Sequence, residues 1–234
     1  MLGAQDEGPV ADGLLPRGFF AGSSLAVGPR LLGCVLEHET GEGLVAVALT
    51  EVEAYEGLAD PASHAYRGRT GRNAVMFGEP GHAYVYFTYG MHFCVNMVCR
   101  PEGTASAVLL RAGRVTAGVP LATARRPAAR NGNELARGPA RLCQALGIDR
   151  GLDGADVCDP GSPLRIRPAP AAGPGQPVPD VSRGPRVGIS AAADRPWRFW
   201  LTGDPTVSAY RPYARRARAK VISPPAGGDG TMPR

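Results

Sequence analysis

The sequence predicts an α+β fold: a single domain built on a mostly antiparallel, curved β-sheet, with flanking helices and a protruding β-hairpin. Three observations predict it. Short apolar runs follow one another without the amphipathic helices that would alternate with them in βαβ units. Neighbouring runs are joined by glycine-bearing turns, as in hairpins. The apolar fraction, 44% of 234 residues, suffices for one buried core and leaves little room for a second.

The elements follow in chain order. Residues 1–16 combine Gly, Pro and acidic side chains without periodicity and are expected to form a disordered tail, leaving residues 17–210 as the domain. Leu25 to Leu32 has short helical character and stops at Gly33. Cys34–Leu36 and Leu44–Leu49 read as a hairpin around a turn that includes Gly41 and Gly43. The second run continues through Thr50-Glu51-Val52-Glu53-Ala54-Tyr55, and period-two alternation puts Val47, Leu49, Glu51, Glu53 and Tyr55 on one face. An unpaired buried carboxylate is costly. Either the strand leaves the core at Glu51, or the carboxylates line a cavity.

Residues 56–82 are polar and Gly-rich and read as a long surface loop carrying Arg67, Arg69 and Arg72. Ala83–Tyr89 reads as an aromatic strand, Gly90 as its turn, and Phe93–Cys99 as the returning strand. Ser106–Arg111 is a further apolar strand. Pro139 at a helix start and Gly147 at its stop bound a short helix. Residues 160–185, rich in Pro, Gly and Ala, read as a flexible loop outside the core. Val187–Ile189 and Trp197–Leu201 read as final strands, and residues 211–234 as a disordered basic tail with five positive charges between Arg211 and Lys220.

Composition narrows the function. The formal charge of +5 favours a polyanionic partner. Between Arg111 and Arg141 there are seven arginines and one acidic residue, Glu134. Five cysteines form no CxxC pair, which argues against a disulfide framework and a structural zinc site. No signal-peptide pattern and no apolar run of about 20 residues is present, so a reducing cytoplasm is expected and no membrane partner.

Three segments carry chemistry: Glu51-Val52-Glu53-Ala54-Tyr55 with Asp60, Ala62, Ser63 and His64 after it; Tyr84-Val85-Tyr86-Phe87-Thr88-Tyr89-Gly90-Met91 with Asn96 after it; and Val108-Leu109-Leu110-Arg111-Ala112. Together with Gly138-Pro139-Ala140-Arg141-Leu142-Cys143-Gln144-Ala145-Leu146 they resemble the alkyladenine (3-methylpurine) DNA glycosylase family over about residues 19–208. The resemblance implies a general base at Glu53 and a water-binding role for Arg111. It implies a pocket for a flipped purine at Tyr55, His64, Tyr86, Asn96 and Leu109, and a backbone carbonyl near Arg186–Ile189 that touches the attacking water. It places Tyr89 at the tip of a hairpin that enters the minor groove.

Elementary chemistry points the same way. A base inside a duplex must be extruded before it can react, at a cost of a few kcal/mol. The vacated stack needs a wedge, for which Tyr89 is the candidate, flanked by Met91. The flipped purine needs aromatic faces, worth roughly 1–3 kcal/mol per base. Arg67, Arg69, Arg72 and Arg141 are candidates for phosphate contacts. Residue physics alone does not choose between Glu51 and Glu53 as the base; the resemblance selects Glu53. Taken singly, each tyrosine also reads as a core side chain. Lys220 is the only lysine and lies far from every motif, so no Schiff base to the sugar is expected and the enzyme should be monofunctional, leaving an abasic site.

The expected partner is therefore double-stranded DNA carrying damaged purines, bound by a monomer that needs neither cofactor nor metal. Three other readings stay open on the residues: a non-catalytic damaged-DNA binder on the same fold, a small-nucleoside hydrolase, and a metal-dependent nuclease using Glu51, Glu53, Asp60 and His64.

Overall fold

The computed structural model of the chain describes residues 13–88, 90–171 and 179–213. Ser23 is a favourable N-cap: its hydroxyl accepts the Ala26 N–H and starts helix α1 (Ser24–Arg30) where the Leu25–Leu32 run predicts one. Strands β1 (Val35–Thr40) and β2 (Gly43–Tyr55) form the expected hairpin, its turn tightened to Gly41-Glu42. The expected aromatic strand and its return are β3 (Ala83–Thr88) and β4 (His92–Val98). Strand β5 (Ala107–Ala117) runs six residues beyond Arg111. Helix α2 (Val119–Arg125) follows with Pro120 in its first turn, in a stretch that carries no helix signal. The two-residue strand β6 (Ala136–Arg137) precedes α3 (Pro139–Leu146), which begins at Pro139 and stops at Gly147 in the left-handed conformation, as its sequence requires. Strands β7 (Leu164–Arg167), β8 (Val181–Gly184) and β9 (Arg198–Leu201) complete the described fold.

All pairings are antiparallel. The sheet runs β3-β4-β5-β2-β1-β7, with β6 beside β5 and a β8–β9 pair joined to β2. The architecture is α+β, with nine strands and three α-helices among the described residues. One apolar cluster joins α1, α3 and the inner residues of β1, β2, β4, β5 and β7, including Leu31, Leu36, Leu49, Leu110, Leu142 and Ile166. Each such fully buried side chain contributes roughly 1.5–3 kcal/mol.

Three expectations need correction. Residues 13–16 are packed rather than loose: Leu14 and Leu15 are buried, and the Leu15 N–H donates to the Ile166 carbonyl. Within the stretch read as a loop, residues 160–185, β7 pairs with β1 and buries Leu164 and Ile166, while β8 pairs with β9. Val187–Ile189 is not a strand but irregular chain. The rest of the expected N-terminal tail (residues 1–12), residues 172–178, and residues 214–234 with Lys220 lie outside the described residues.

The feature that positions the site is an irregularity in β2. Its pairing with β5 shifts on both sides of Glu51, and Thr50 and Arg111 fall at the steps. There β2 also exchanges its other neighbour. Residues 43–48 pair with β1, whereas Glu51, Val52 and Glu53 pair with Trp200, Phe199 and Arg198 of β9. The strand therefore does not leave the core at Glu51; β9 covers it, and both carboxylates are fully buried.

Candidate active site

One rung of the sheet builds the floor of a cavity. Tyr84 of β3 pairs with Asn96 of β4, Asn96 with Leu109 of β5, and Leu109 with Glu53 of β2. All four line a cavity of about 240 Å³, together with Tyr55, His64, Tyr86 and Arg111. Segments from far along the chain close it: Ala62, Ser63 and Met76 from one side, Pro139 of α3, and Val187–Ile189. Every residue expected at the base pocket and both residues expected at the chemistry are thus brought to one place.

Glu53 sits in a ring of donors. Its Oε1 accepts the Val187 N–H at 2.7 Å and lies 3.2 Å from Nη1 of Arg111. Its Oε2 accepts the Tyr55 hydroxyl at 2.8 Å. Burial, followed by the nearby Glu53 charge, holds the Tyr55 phenol well above its ordinary pKa, so it stays a donor. Glu51 is enclosed separately. Its Oε1 accepts Nε of Arg111 and Nε of Arg198, both at 2.7 Å, and the Ser208 hydroxyl at 2.9 Å; its Oε2 accepts the Ser208 N–H at 2.7 Å. Burial opposes ionisation of Glu51, but Arg111 and Arg198 outweigh it and hold its pKa below the usual carboxylate value. Burial likewise opposes the charge on Arg111, and the Glu53 and Glu51 carboxylates overcome it. Of these two carboxylates, only Glu53 reaches the cavity.

The aromatic wall is stacked and edge-on. Tyr84 and Tyr86 stack with centroids 5.5 Å apart, and His64 meets Tyr86 edge-on at 4.5 Å. The Tyr84 hydroxyl lies 3.1 Å from Nδ1 of His64. Burial first and Arg72 second push the His64 pKa below the ordinary imidazole value, which favours the neutral ring near pH 7. Burial, then Cys94, keeps the Tyr86 phenol protonated. Asn96 donates to the Tyr84 carbonyl at 3.2 Å.

The loop that closes the cavity is anchored by a buried ion pair. Arg186 donates to Asp60 through Nη1 at 2.5 Å and Nη2 at 2.9 Å, and to the Ala54 carbonyl at 3.0 Å. Its guanidinium lies over the rings of Tyr55 and Trp197. Val187, the next residue, is thereby held against Glu53. The segment read as a surface loop is partly core: Asp60, Ser63, Ala65, Asn73 and Met76 are buried, Asp60 against Arg186 and Ala65 and Met76 in a second apolar cluster with Tyr84 and Val98.

Arg67, Arg69, Arg72 and Arg141 are all exposed, and Arg72 lies beside the cavity rim, 3.5 Å from the Phe87 carbonyl. Met91 is 69% exposed at the β3–β4 turn. Tyr89 lies outside the described residues. Glu51, Asp60 and His64 do not converge on Glu53, and among the described residues no three His, Cys, Asp or Glu side chains gather to hold a metal. Among the described residues no helix is long and apolar enough to cross a membrane. Tyr84 is a site residue that the sequence reading does not single out, although its two-residue spacing from Tyr86 places it on the same face. Met76, Cys94 and the Asp60–Arg186 pair also escape it, because no local signal marks them.

Comparison with known proteins shows the family. The Methylpurine-DNA glycosylase family profile matches residues 18–205. A Streptomyces avermitilis protein provisionally named 3-methyladenine DNA glycosylase is 55% identical over 222 residues, 93% of this chain and 99% of the relative. Relatives under the same provisional name are 52% identical in Leifsonia xyli subsp. xyli, over 83% of this chain and 92% of theirs, and 49% identical in Mycobacterium tuberculosis, over 82% and 91%. The chain is thus a DNA glycosylase, a hydrolase of N-glycosyl bonds. It belongs to the Methylpurine-DNA glycosylase family.

Proposed function

We propose that the protein is a monofunctional glycosylase of base excision repair. It flips an alkylated or deaminated purine from duplex DNA and hydrolyses the N-glycosidic bond with a water activated by Glu53. The observation that carries this reading is the buried Glu53 carboxylate at the wall of a cavity lined by Tyr55, His64 and Tyr86.

Each oxygen of a carboxylate offers two lone-pair sites. On Glu53, Val187 and Arg111 occupy Oε1, and Tyr55 occupies one site of Oε2. The remaining site of Oε2 is available to a water. That water gives its proton to Glu53 as its oxygen attacks C1′ of the sugar, and the bonding pair of the C1′–N bond leaves with the purine. The developing oxocarbenium character is the same problem that glycoside hydrolases solve with carboxylates. Proton removal of this kind contributes typically ~10²–10⁴-fold. Arg111, fixed by Glu51, orients the carboxylate and supports the water.

The purine fits between the Tyr55 and Tyr86/His64 surfaces, and an electron-poor alkylated ring stacks more strongly on them. An alkylated base that carries positive charge departs as a neutral molecule and needs no general acid. The neutral His64 ring adds no repulsion to such a base. Met91 and Tyr89 fill the vacated stack, while Arg67, Arg69, Arg72 and Arg141 hold phosphates.

The test is base release from a panel of duplexes, each carrying one defined lesion (3-methyladenine, 7-methylguanine, hypoxanthine or ethenoadenine). Products are a free purine and an unbroken strand with an abasic site. Strand cleavage with a borohydride-trapped adduct would overturn the monofunctional assignment. Equal turnover of free nucleosides, insensitive to salt, would overturn the assignment to duplex DNA.

A further inference from the structure

The family match ends at residue 205, yet the chain beyond it reaches the site. The segment after β9 is tied to the sheet by a series of contacts. Asp204 pairs with Arg114 at 2.6 Å, the buried Thr206 hydroxyl meets that of Thr50 at 2.7 Å, and the Val207 carbonyl accepts Nε of Arg137 at 2.9 Å. Thr50 is the residue at the β2 irregularity, so this segment packs where the strand changes neighbours. Ser208 then contacts the buried cluster through every polar atom it has. Its N–H and hydroxyl go to Glu51, its carbonyl accepts Nη2 of Arg198 at 2.7 Å, and its Oγ also lies 3.4 Å from Nη2 of Arg111. Three residues on, the Arg211 carbonyl accepts the N–H of Gly188, a residue of the cavity wall.

We propose that Ser208, acting with Glu51, is a positioning residue for base release. It fixes the rotation of the Arg111 guanidinium and so presents Nη1 to the Glu53 carboxylate. The inference rests on the reading of Glu53 as the base. Arg111 is a planar fork with five donors. Glu51 holds its Nε edge, and Glu53 meets Nη1. Those two contacts leave Nη2 to settle how the plane is tilted, and Ser208 Oγ is the acceptor placed there. The same hydroxyl donates to Glu51, so it constrains the carboxylate and the guanidinium together. Arg198, whose Nε meets the same Glu51 oxygen as Arg111, supplies the second positive charge for the two buried carboxylates.

The variant S208A removes the hydroxyl and leaves the N–H bond to Glu51 and the carbonyl bond to Arg198 in place, so the segment stays anchored. The single-turnover rate of base release should fall roughly threefold to tenfold, the scale of one or two such hydrogen bonds. Duplex Kd should stay within about twofold, because the perturbation sits behind the cavity rather than on the DNA face, and Tm should fall by no more than about 6 °C, the scale of the lost hydroxyl contacts. S208T, which restores a hydroxyl, should recover the rate. The inference is overturned if S208A releases base at the wild-type rate, if the slower rate comes with a Kd raised and a Tm lowered beyond those limits, or if S208T leaves the rate depressed. E53Q run alongside separates the two claims. Full base release by E53Q would reject Glu53 as the base. Loss of release in E53Q with unimpaired release in S208A would reject the role of Ser208 alone.

Discussion

Replacing Asp60 by asparagine keeps the side chain's size but removes the charge that pairs with Arg186. Both partners of this ion pair are buried without side-chain exposure. Every neighbour of the Asp60 oxygens is a donor: two guanidinium nitrogens of Arg186 and the backbone N–H groups of Glu56 and Ala62. No orientation of an asparagine amide suits them, because its NH₂ must face a donor in either flip. Breaking a buried pair by neutralising one partner costs about 3–5 kcal/mol, since the remaining charge stays buried without compensation. For a domain of this size each kcal/mol lowers Tm by roughly 2–4 °C, so D60N should melt about 6–20 °C below wild type. Base release should slow as well, measured at a temperature where the variant is folded, because Arg186 positions Val187 and Val187 donates to Glu53. Thermal unfolding by differential scanning calorimetry gives the first quantity and single-turnover kinetics the second. The Arg130–Glu134 pair, with Arg130 84% exposed and Glu134 half-buried, serves as the internal control, and R130A should lower Tm by no more than about 2–4 °C. A D60N protein melting within about 2 °C of wild type would refute the claim that this pair anchors the closing loop.

Two further predictions concern charge. Ser24, Arg100 and Ser106 all donate to Glu56, and although burial opposes them, they hold its pKa below the ordinary value of 4.5. A carboxylate depressed in the folded state stabilises above its unfolded pKa and loses that contribution as pH falls through the folded value. The stability gap between wild type and E56Q should therefore be widest near pH 7 and shrink below about pH 4.5, which urea midpoints across pH can follow; a gap independent of pH contradicts it. Arg69 and Arg141 are exposed and assigned to phosphates. R69A or R141A should each reduce the slope of log K against log salt by about 0.9 while leaving base release at saturating enzyme unaltered, and an unchanged slope removes that residue from the DNA face.

Elements with local punctuation were legible in the sequence. The Leu25–Leu32 run stopping at Gly33 marks α1, Pro139 and Gly147 bound α3, and the aromatic alternation of Tyr84 and Tyr86 marks β3. Strand β7 was hidden because the proline, glycine and alanine around it masked the two-residue alternation of Leu164 and Ile166. Helix α2 is too short for a periodic signal and starts after a left-handed Gly118. The carboxylates of β2 were visible as an anomaly, but their different surroundings were not. Glu51 and Glu53 differ because β9 and Ser208 enclose one while Val187 and a cavity meet the other, and Val187 and Ser208 lie 134 and 157 residues away. The resemblance chose the one of the pair that faces the cavity. Nothing local in residues 160–189 announced that Arg186 would be buried against Asp60.

The most direct measurement is single-turnover base release from a duplex carrying one methylated purine, with wild type and E53Q compared at matched saturation and duplex Kd determined for both. The substitution keeps the shape of the side chain and removes its ability to take a proton. Release should fall by ~10²–10⁴-fold with Kd nearly unchanged. A variant that frees the purine as fast as wild type, while binding the duplex equally well, would contradict the assignment of Glu53 as the base.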